Sequence, residues 1–166
     1  MDVRYLLNVI YMSILILQST NQPIYISVCV LRYVRKMQHV CSTLAEDNES
    51  PAGIGHLDGD TAVSRQSFNA ALHAAGAVCN GVDKVIKGTF RNTFCAVRPP
   101  GHHAGPSGVV PGPIGGGSES HGFCLLNNVS IGAAYALNVH RDVVKRVAIV
   151  DFGESESYLL LDAYCD

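Results

Sequence analysis

Apolar and small residues recur at intervals of three and four along three stretches of this sequence, and apolar residues form short unbroken runs in two others. The first pattern is typical of helices with one buried face, and it predicts helices at about residues 30–45, 64–87 and 128–139. The unbroken runs predict buried strands at about 94–98 and 146–151. Because strands alternate with helices, we expect right-handed crossovers and an α/β fold, with three α/β/α layers and a mostly parallel sheet.

The second of these helices has the clearest pattern. Ser64 is expected to cap its first turn, and Gly88 is expected to stop it. Core packing accounts for the whole helix, so we assign no chemistry to it. Its predicted buried stripe consists of Phe68, Ala71, Leu72, Ala75, Val78, Cys79, Val82, Val85 and Ile86.

Composition narrows the classes of function. The chain has 166 residues, enough for one hydrophobic core, and it is 48% hydrophobic and 16% charged with a formal net charge of -2. We therefore expect no direct binding to nucleic acid or to an anionic membrane. The six cysteines lack C-x-x-C spacing, which indicates reduced thiols rather than a disulfide framework. The apolar run 6–17 is shorter than the roughly 20 residues of a spanning helix, so we expect a soluble nuclear or cytoplasmic protein.

The candidate chemistry follows the first predicted strand. Two prolines and a glycine stop that strand, and His102 and His103 come directly after them. Open α/β sheets bind ligands at the carboxyl ends of their strands, and adjacent imidazoles can divide labour there, one as a neutral base and the other as a cation. The alternative is a histidine pair that only keeps a turn soluble.

Two further segments have open interpretations. His56, Asp58 and Asp60 alternate along the chain, a pattern that can place ligands on one face of an extended segment but is more often found in a solvated loop. The segment 105–120 is rich in Gly, Pro and Ser, which predicts a mobile loop. Such a loop either tunes access to a site or is a tolerated insertion without function.

Three motifs occur in one order along the chain: Arg98 to Ala104, Gly122 to Val129, and Arg146 to Phe152. Together they resemble the histone deacetylase family, most of all its class II branch, within the arginase/deacetylase superfamily. The resemblance covers about residues 55–152 and implies an arginase/deacetylase-like fold.

The resemblance also divides the chain into segments. We expect residues 30–152 to be a partial histone deacetylase catalytic domain, which makes the fold a truncated one. An unmatched extension at 1–29 precedes it, and an unmatched tail at 153–166 follows it.

For catalysis, the resemblance implies that His103 is the general base that deprotonates a metal-bound water and that His102 is its electrostatic partner. Asp151 would orient the first of these histidines and, in relatives, helps to bind a structural potassium ion. The cofactor implied by the family is a zinc ion.

For substrate binding, the resemblance implies that Gly122 and Phe123 line a narrow tunnel for the acyl-lysine side chain, since an aromatic wall packs well on methylene groups. Asp60 would hydrogen-bond the substrate backbone at the rim of this tunnel. The implied substrates are acetylated histones or other acetyl-lysine proteins, and the implied partners are corepressor-type complexes.

The chain departs from the family pattern at the zinc ligands. Relatives have Asp-x-Asp-x-His, and the same positions are Asp151, Gly153 and Ser155 in this sequence. Glycine has no side chain and a serine hydroxyl is a poor zinc ligand, and the third ligand of the family would lie beyond residue 166. We therefore expect no zinc site and no deacetylase activity in this polypeptide.

Agreement with the family stops abruptly after Phe152, which favours a misspliced or prematurely ended product over the gradual decay of a catalytic site. Two interpretations of function stay open. The chain is either the amino-terminal part of a zinc-dependent protein-lysine deacetylase, or a non-catalytic regulatory or peptide-binding fragment of one.

Overall fold

The computed structural model describes residues 3–9, 12–17, 28–46, 51–105 and 120–151. It describes only the backbone for the first two strands, for residues 28–31 and 51, and for the last two residues of the sixth strand. The chain forms two compact units. Of the described residues, 3–9, 12–17, 75–97 and 128–151 make up the sheet unit, and 28–46, 51–74, 98–105 and 120–127 make up the loop unit.

The predicted helices and strands are all present. Helix α3 and strand β6 have the predicted bounds, whereas strand β5 lies two to three residues before its predicted position. None of the helices in the described ranges is long and apolar enough to cross a membrane. In chain order the elements are β1 (Val3–Val9), β2 (Met12–Leu17), α1 (Val28–Thr43), a 3-10 turn (Pro51–Gly53), β3 (Ile54–His56), β4 (Ala62–Ser64), α2 (Ser67–Ile86), β5 (Asn92–Cys95), α3 (Asn128–Val139) and β6 (Arg146–Asp151).

The sheet unit contains a mixed sheet of four strands in the order β5-β1-β2-β6. Strand β1 pairs with β5 in parallel and with β2 in antiparallel, and β2 pairs with β6 in antiparallel. The two predicted strands, β5 and β6, therefore run in the same direction, as expected of a β–α–β unit. The α/β class is confirmed, but two of the three pairings in this sheet are antiparallel, so the described sheet is not mostly parallel as predicted. The apolar run 6–17 supplies most of the antiparallel hairpin that lies between β5 and β6.

The core of the sheet unit forms between helices α2 and α3 and the two strands β5 and β6. Small residues on α3, such as Ala133 and Ala136, are fully buried there and let the helix approach its neighbours closely. The buried cluster consists of Val78, Val82, Cys95, Val129, Ala133, Ala136, Val144, Val147 and Ile149.

The first predicted strand is not buried on both faces, which corrects the expectation from its apolar run. Cys95 is buried, but Phe94 is 67% exposed and Ala96 is exposed as well. Successive side chains of a strand point to opposite faces, and the buried cluster of α2 and α3 residues lies against only one of them. The same alternation holds in β6, where Val147 and Ile149 are buried and Arg146 is exposed.

A polar network connects α2 with the end of α3 in the sheet unit. Asp83 Oδ1 accepts hydrogen bonds from His140 Nε2 at 2.6 Å and from the Tyr135 hydroxyl at 3.1 Å, and Asp83 Oδ2 accepts one from Lys87 Nζ at 3.0 Å. The hydrogen bond to His140 is the main cause that lowers the pKa of Asp83 below its ordinary value, and Lys87 contributes to the same shift. Asp83 is therefore a charged residue that holds two helices together.

The loop unit contains α1, the β3–β4 hairpin and the first turns of α2. Tyr33, Met37 and Cys41 form the buried stripe of α1, one turn apart. Arg65 closes the end of this helix, because its guanidinium donates to the carbonyl oxygens of Ser42 and Leu44 at 3.2 and 3.1 Å.

Helix α2 begins at Ser67, three residues after the predicted cap. Ser67 Oγ accepts a hydrogen bond of 2.9 Å from the Ser64 N–H, so the two serines make the back-bonding half of a capping box. The predicted stop is confirmed: Gly88 has a φ of 74° and donates to the Val85 carbonyl, as in a Schellman motif. The stripe is wrong at Leu72, which is exposed.

Candidate active site

The two predicted histidines lie side by side in a turn of the loop unit. The peptide bond between Arg98 and Pro99 is cis, and the turn that follows is closed by a hydrogen bond of 3.1 Å from the Ala104 N–H to the Gly101 carbonyl. The ring centroids of His102 and His103 are 4.2 Å apart, with the planes tilted by 54°. Both side chains are half-buried, so the rings are held in contact and still reach solvent.

The predicted tunnel residues lie directly against the second histidine. Gly122 and Phe123 both have left-handed backbone conformations, with φ of 51° and 63°. A Cβ at position 122 would lie 2.4 Å from Cδ2 of His103, which is too close for a side chain to be accommodated there. Position 122 thus requires glycine for two reasons, the positive φ and the close approach to the imidazole.

Residues 121–123, the tunnel turn, belong to no regular helix or strand, and side chains accept the hydrogen bonds of all three of their N–H groups. The His121 N–H donates to Asp58 Oδ2 at 2.6 Å, the Gly122 N–H to Ser120 Oγ at 3.0 Å, and the Phe123 N–H to Thr61 Oγ1 at 3.1 Å. Polar groups of an irregular segment need such partners when the segment is buried. The tunnel turn is therefore fixed by individual side chains.

Asp58 is the main acceptor in this region. In addition to His121 it binds the N–H groups of Thr61 at 2.7 Å and Asp60 at 3.2 Å. Desolvation by itself would raise the pKa of Asp58, but the hydrogen bonds from His121, Thr61 and Asp60 outweigh it and hold the pKa well below the ordinary range. The solvated-loop interpretation of the His56–Asp58–Asp60 alternation is thus wrong for Asp58, although His56 and Asp60 are exposed.

The two predicted substrate contacts, Asp60 and Phe123, are available to a ligand. Phe123 is 52% exposed, and Asp60 is exposed as well. Thr61 connects them, because its hydroxyl donates to Asp60 Oδ1 at 3.0 Å and accepts from the Phe123 N–H. An exposed carboxylate and an exposed aromatic ring therefore share one buried bridging residue.

The segment behind the tunnel turn is anchored to helix α1 and to the histidine turn. The Tyr33 hydroxyl donates to the Leu125 carbonyl at 2.8 Å, and its ring stacks on the buried ring of His121 with centroids 6.2 Å apart. Desolvation raises the pKa of Tyr33 far above its usual range, so the hydroxyl stays a donor. Asn127 Nδ2 donates to the Ala104 carbonyl at 3.0 Å, which connects the segment to the histidine turn.

Cys124 lies beneath the histidine turn as a buried thiol. Desolvation raises its pKa, although the N–H groups of His103, Ala104 and His102 and the charge of Arg98 act in the opposite direction. Sequence reasoning assigned no role to Asp58, Thr61 or Tyr33. The alternation at 56–60 was the one local signal, and it could not show that the Asp58 carboxylate would accept a hydrogen bond from a segment about 60 residues later.

Asp151 is the last residue of β6 and belongs to the sheet unit, with only its backbone described. Its predicted role beside the histidines therefore stays a prediction. Most of the predicted loop 105–120 and both altered ligand positions, 153 and 155, lie outside the described residues. Within the described ranges, no three His, Cys, Asp or Glu side chains are grouped so that they could hold a metal ion.

Comparisons with known proteins agree with the three motifs. The model of the histone deacetylase domain family matches residues 27–153. Type-2 histone deacetylase 1 of Dictyostelium discoideum is 50% identical over 96 residues, which are 57% of this chain and 6% of that protein. Histone deacetylase 18 of Arabidopsis thaliana is 35% identical over 128 residues, 74% of this chain and 17% of that protein. The crystal structure of the HDA15 HD domain has a TM-score of 0.48 and 24% identity, covering 73% of this chain and 30% of that one. The chain thus spans less than a fifth of the length of the Dictyostelium and Arabidopsis relatives.

Proposed function

Since this chain belongs to the histone deacetylase family, we propose that it supplies the histidine pair and the substrate-contacting residues of a zinc-dependent protein-lysine deacetylase site. The observation that carries the proposal is the contact between His103 and Gly122, which brings the proposed general base against the proposed tunnel wall. In this proposal His102 stabilises charge on its neighbour, which lies 4.2 Å away between ring centroids. Asp151 is proposed to orient His102 and to take part in potassium binding.

The substrate class that we propose is acetyl-lysine in histones or other proteins. Phe123 would pack against the methylene groups of the lysine, because an exposed aromatic ring gains most by covering an apolar chain. Asp60 would accept hydrogen bonds from the backbone of the substrate at the rim. A nuclear or cytoplasmic location and corepressor-type partners belong to the same proposal.

The donor set of this chain does not fit the zinc ion of the family. A catalytic zinc takes three protein ligands and a water, and the residues at two of the ligand positions are Gly153 and Ser155. Neither provides an imidazole, thiolate or carboxylate. We therefore derive no hydrolytic step for this polypeptide and propose that, by itself, it binds acetyl-lysine peptides without turning them over.

Titration of the purified 166-residue chain with an acetylated histone-tail peptide tests this proposal. We expect binding that depends on the acetyl group, with no deacetylation and no bound zinc. Phe123→Ala should weaken the binding about tenfold, the effect of losing part of one aromatic contact. His73→Ala is a matched control, since this exposed histidine hydrogen-bonds the Asn69 carbonyl on α2 and should not contribute.

Equal affinity for acetylated and unacetylated peptides would contradict the binding proposal, and chelator-sensitive deacetylation would contradict the ligand argument. Gly153→Asp with Ser155→His should recover little activity, since the pair supplies at most two ligands. Fusion of the carboxyl-terminal half of a relative after Phe152 should restore zinc binding. In that fusion His103→Ala should abolish most turnover.

A further inference from the structure

The tunnel turn has an unusual source of stability. Asp58 and Thr61, which belong to the loop between β3 and β4, accept hydrogen bonds from the N–H groups on either side of Gly122, those of His121 and Phe123. Thr61 is only 1% exposed, so the hydrogen bond to its hydroxyl is shielded from water. The position of Gly122 is thereby set by two residues about 60 positions earlier in the chain.

The position of Gly122 in turn limits that of His103. The backbone of residue 122 is in contact with the imidazole ring, and a Cβ there would overlap with Cδ2 of His103 at 2.4 Å. Any displacement of the turn by a few tenths of an ångström must therefore open this contact or move the ring. The ring lies against that of His102, with centroids 4.2 Å apart and planes tilted by 54°, so a displaced His103 also changes the geometry of the pair.

The same two residues control the rim. Asp58 binds the N–H of Asp60, and the Thr61 hydroxyl donates to the Asp60 carboxylate. Because one hydroxyl group both donates to Asp60 and accepts from the Phe123 N–H, it fixes the rim carboxylate relative to the tunnel wall. Removal of this hydroxyl would leave the N–H of Phe123 without its acceptor on the buried Thr61.

We propose that Asp58 and Thr61 are positioning residues, which hold the tunnel turn against His103 and set the distance between the rim residue Asp60 and the tunnel residue Phe123. The inference rests on the proposed function for its consequence, the binding of acetyl-lysine. Its structural content, the control of Phe123 and His103 by Thr61, does not depend on any ligand.

The test compares Thr61→Val, which is nearly isosteric and lacks the hydroxyl, with Thr61→Ser, which keeps it. Thr43→Val is the matched control, because the Thr43 hydroxyl donates to the Val40 carbonyl at the exposed end of α1. In the 166-residue chain, Thr61→Val should accelerate hydrogen exchange of the Phe123 amide at least about tenfold and shift the His103 ring resonances. It should weaken acetyl-peptide binding roughly fivefold to tenfold. Thr61→Ser and Thr43→Val should leave all three quantities close to those of the unmodified chain.

A purely structural role would lower the stability of Thr61→Val against urea without shifting the His103 resonances, and that outcome would overturn the inference. The inference would also be overturned if Thr61→Ser changed amide exchange, the His103 resonances and peptide binding as much as Thr61→Val does. If Thr61→Val does not fold, Asp58→Asn and the unmodified chain decide: rapid exchange of the His121 and Phe123 amides in the unmodified chain contradicts the proposed arrangement. Normal protection of these amides in a chain that ignores the acetyl group would refute the proposed function alone.

Discussion

The sheet unit and the loop unit are stabilised by different kinds of contact. In the sheet unit, buried aliphatic side chains of α2, α3, β5 and β6 form one cluster, and the backbone is satisfied by helices and a four-stranded sheet. In the loop unit, the residues with proposed chemistry lie in turns, and their backbone is satisfied by side chains such as Asp58, Thr61 and Asn127. Both units bury apolar side chains, but in the loop unit the turns with proposed chemistry depend in addition on individual hydrogen bonds.

This difference predicts how truncation of a core residue and removal of a hydrogen-bond acceptor should each change stability and site geometry. An apolar cluster spreads its free energy over many contacts, so a single truncation lowers stability but leaves the remaining geometry in place. In a turn fixed by three side-chain acceptors, each lost acceptor leaves one N–H group of the turn unpaired, and no neighbouring contact replaces it. The site should therefore lose its geometry at a smaller cost in global stability than the core does.

The largest expected effect is in the sheet unit. Ile149→Ala should lower the free energy of unfolding by about 2–5 kcal/mol, because Ile149 is 4% exposed in β6 and its truncation leaves a cavity in the cluster. Urea unfolding followed by circular dichroism measures this change. Val139→Ala, on the exposed side of α3, is the control and should change stability by less than about 0.5 kcal/mol. Equal losses in the two variants would show that no apolar core exists in this unit.

An intermediate effect is expected at the tunnel turn. Gly122→Ala should cost about 1–3 kcal/mol and displace His103, because it adds a clash with the ring to the strain of a positive φ. Gly88→Ala separates the backbone strain from the clash, since Gly88 has a φ of 74° but nothing lies within 4 Å of its added Cβ. It should cost about 1 kcal/mol and leave the His103 resonances unchanged. The comparison would fail if both alanines had the same effect on stability and on His103.

The smallest effect concerns the polar network around Asp83 in the sheet unit. The pKa of Asp83 is lower in the folded chain than its unfolded value of about 3.9, so its hydrogen bonds stabilise the fold at higher pH. This contribution, about 1 kcal/mol, should be lost as the pH falls from about 5 through the folded pKa. Asp83→Asn should remove this part of the pH dependence of the unfolding free energy.

Asp142→Asn is the control for that series, because Asp142 is exposed in the turn after α3 and should retain the dependence on pH. A chain with Asp83→Asn that still loses the same free energy on acidification would contradict the assignment. It would place the acid-sensitive carboxylate elsewhere, for example at Asp58, whose pKa is also held low by hydrogen bonds.

Local pattern predicted the regular elements well where local physics decides them. The bounds of α3 and β6 and the stop of α2 at Gly88 were predicted because a 3.6-residue period, a β-branched run and a left-handed glycine are properties of neighbouring residues. The exposure of Phe94 and Leu72 was not, because burial depends on which elements pack on each face. The hairpin of β1 and β2 was missed for the same reason, since an apolar run does not reveal its partner strands.

The histidine pair and the predicted tunnel residues were proposed from their motifs, and the contact between His103 and Gly122 accounts for the glycine at that position. The roles of Asp58 and Thr61 could only come from the tertiary structure. Their hydrogen bonds join residues about 60 positions apart, and no periodicity or spacing encodes such a distance. The sequence alone determines which residue types are present, including Gly153 and Ser155 where zinc ligands would be needed. The tertiary structure decides which partner each buried polar group has, because hydrogen bonds form between the groups that packing brings together.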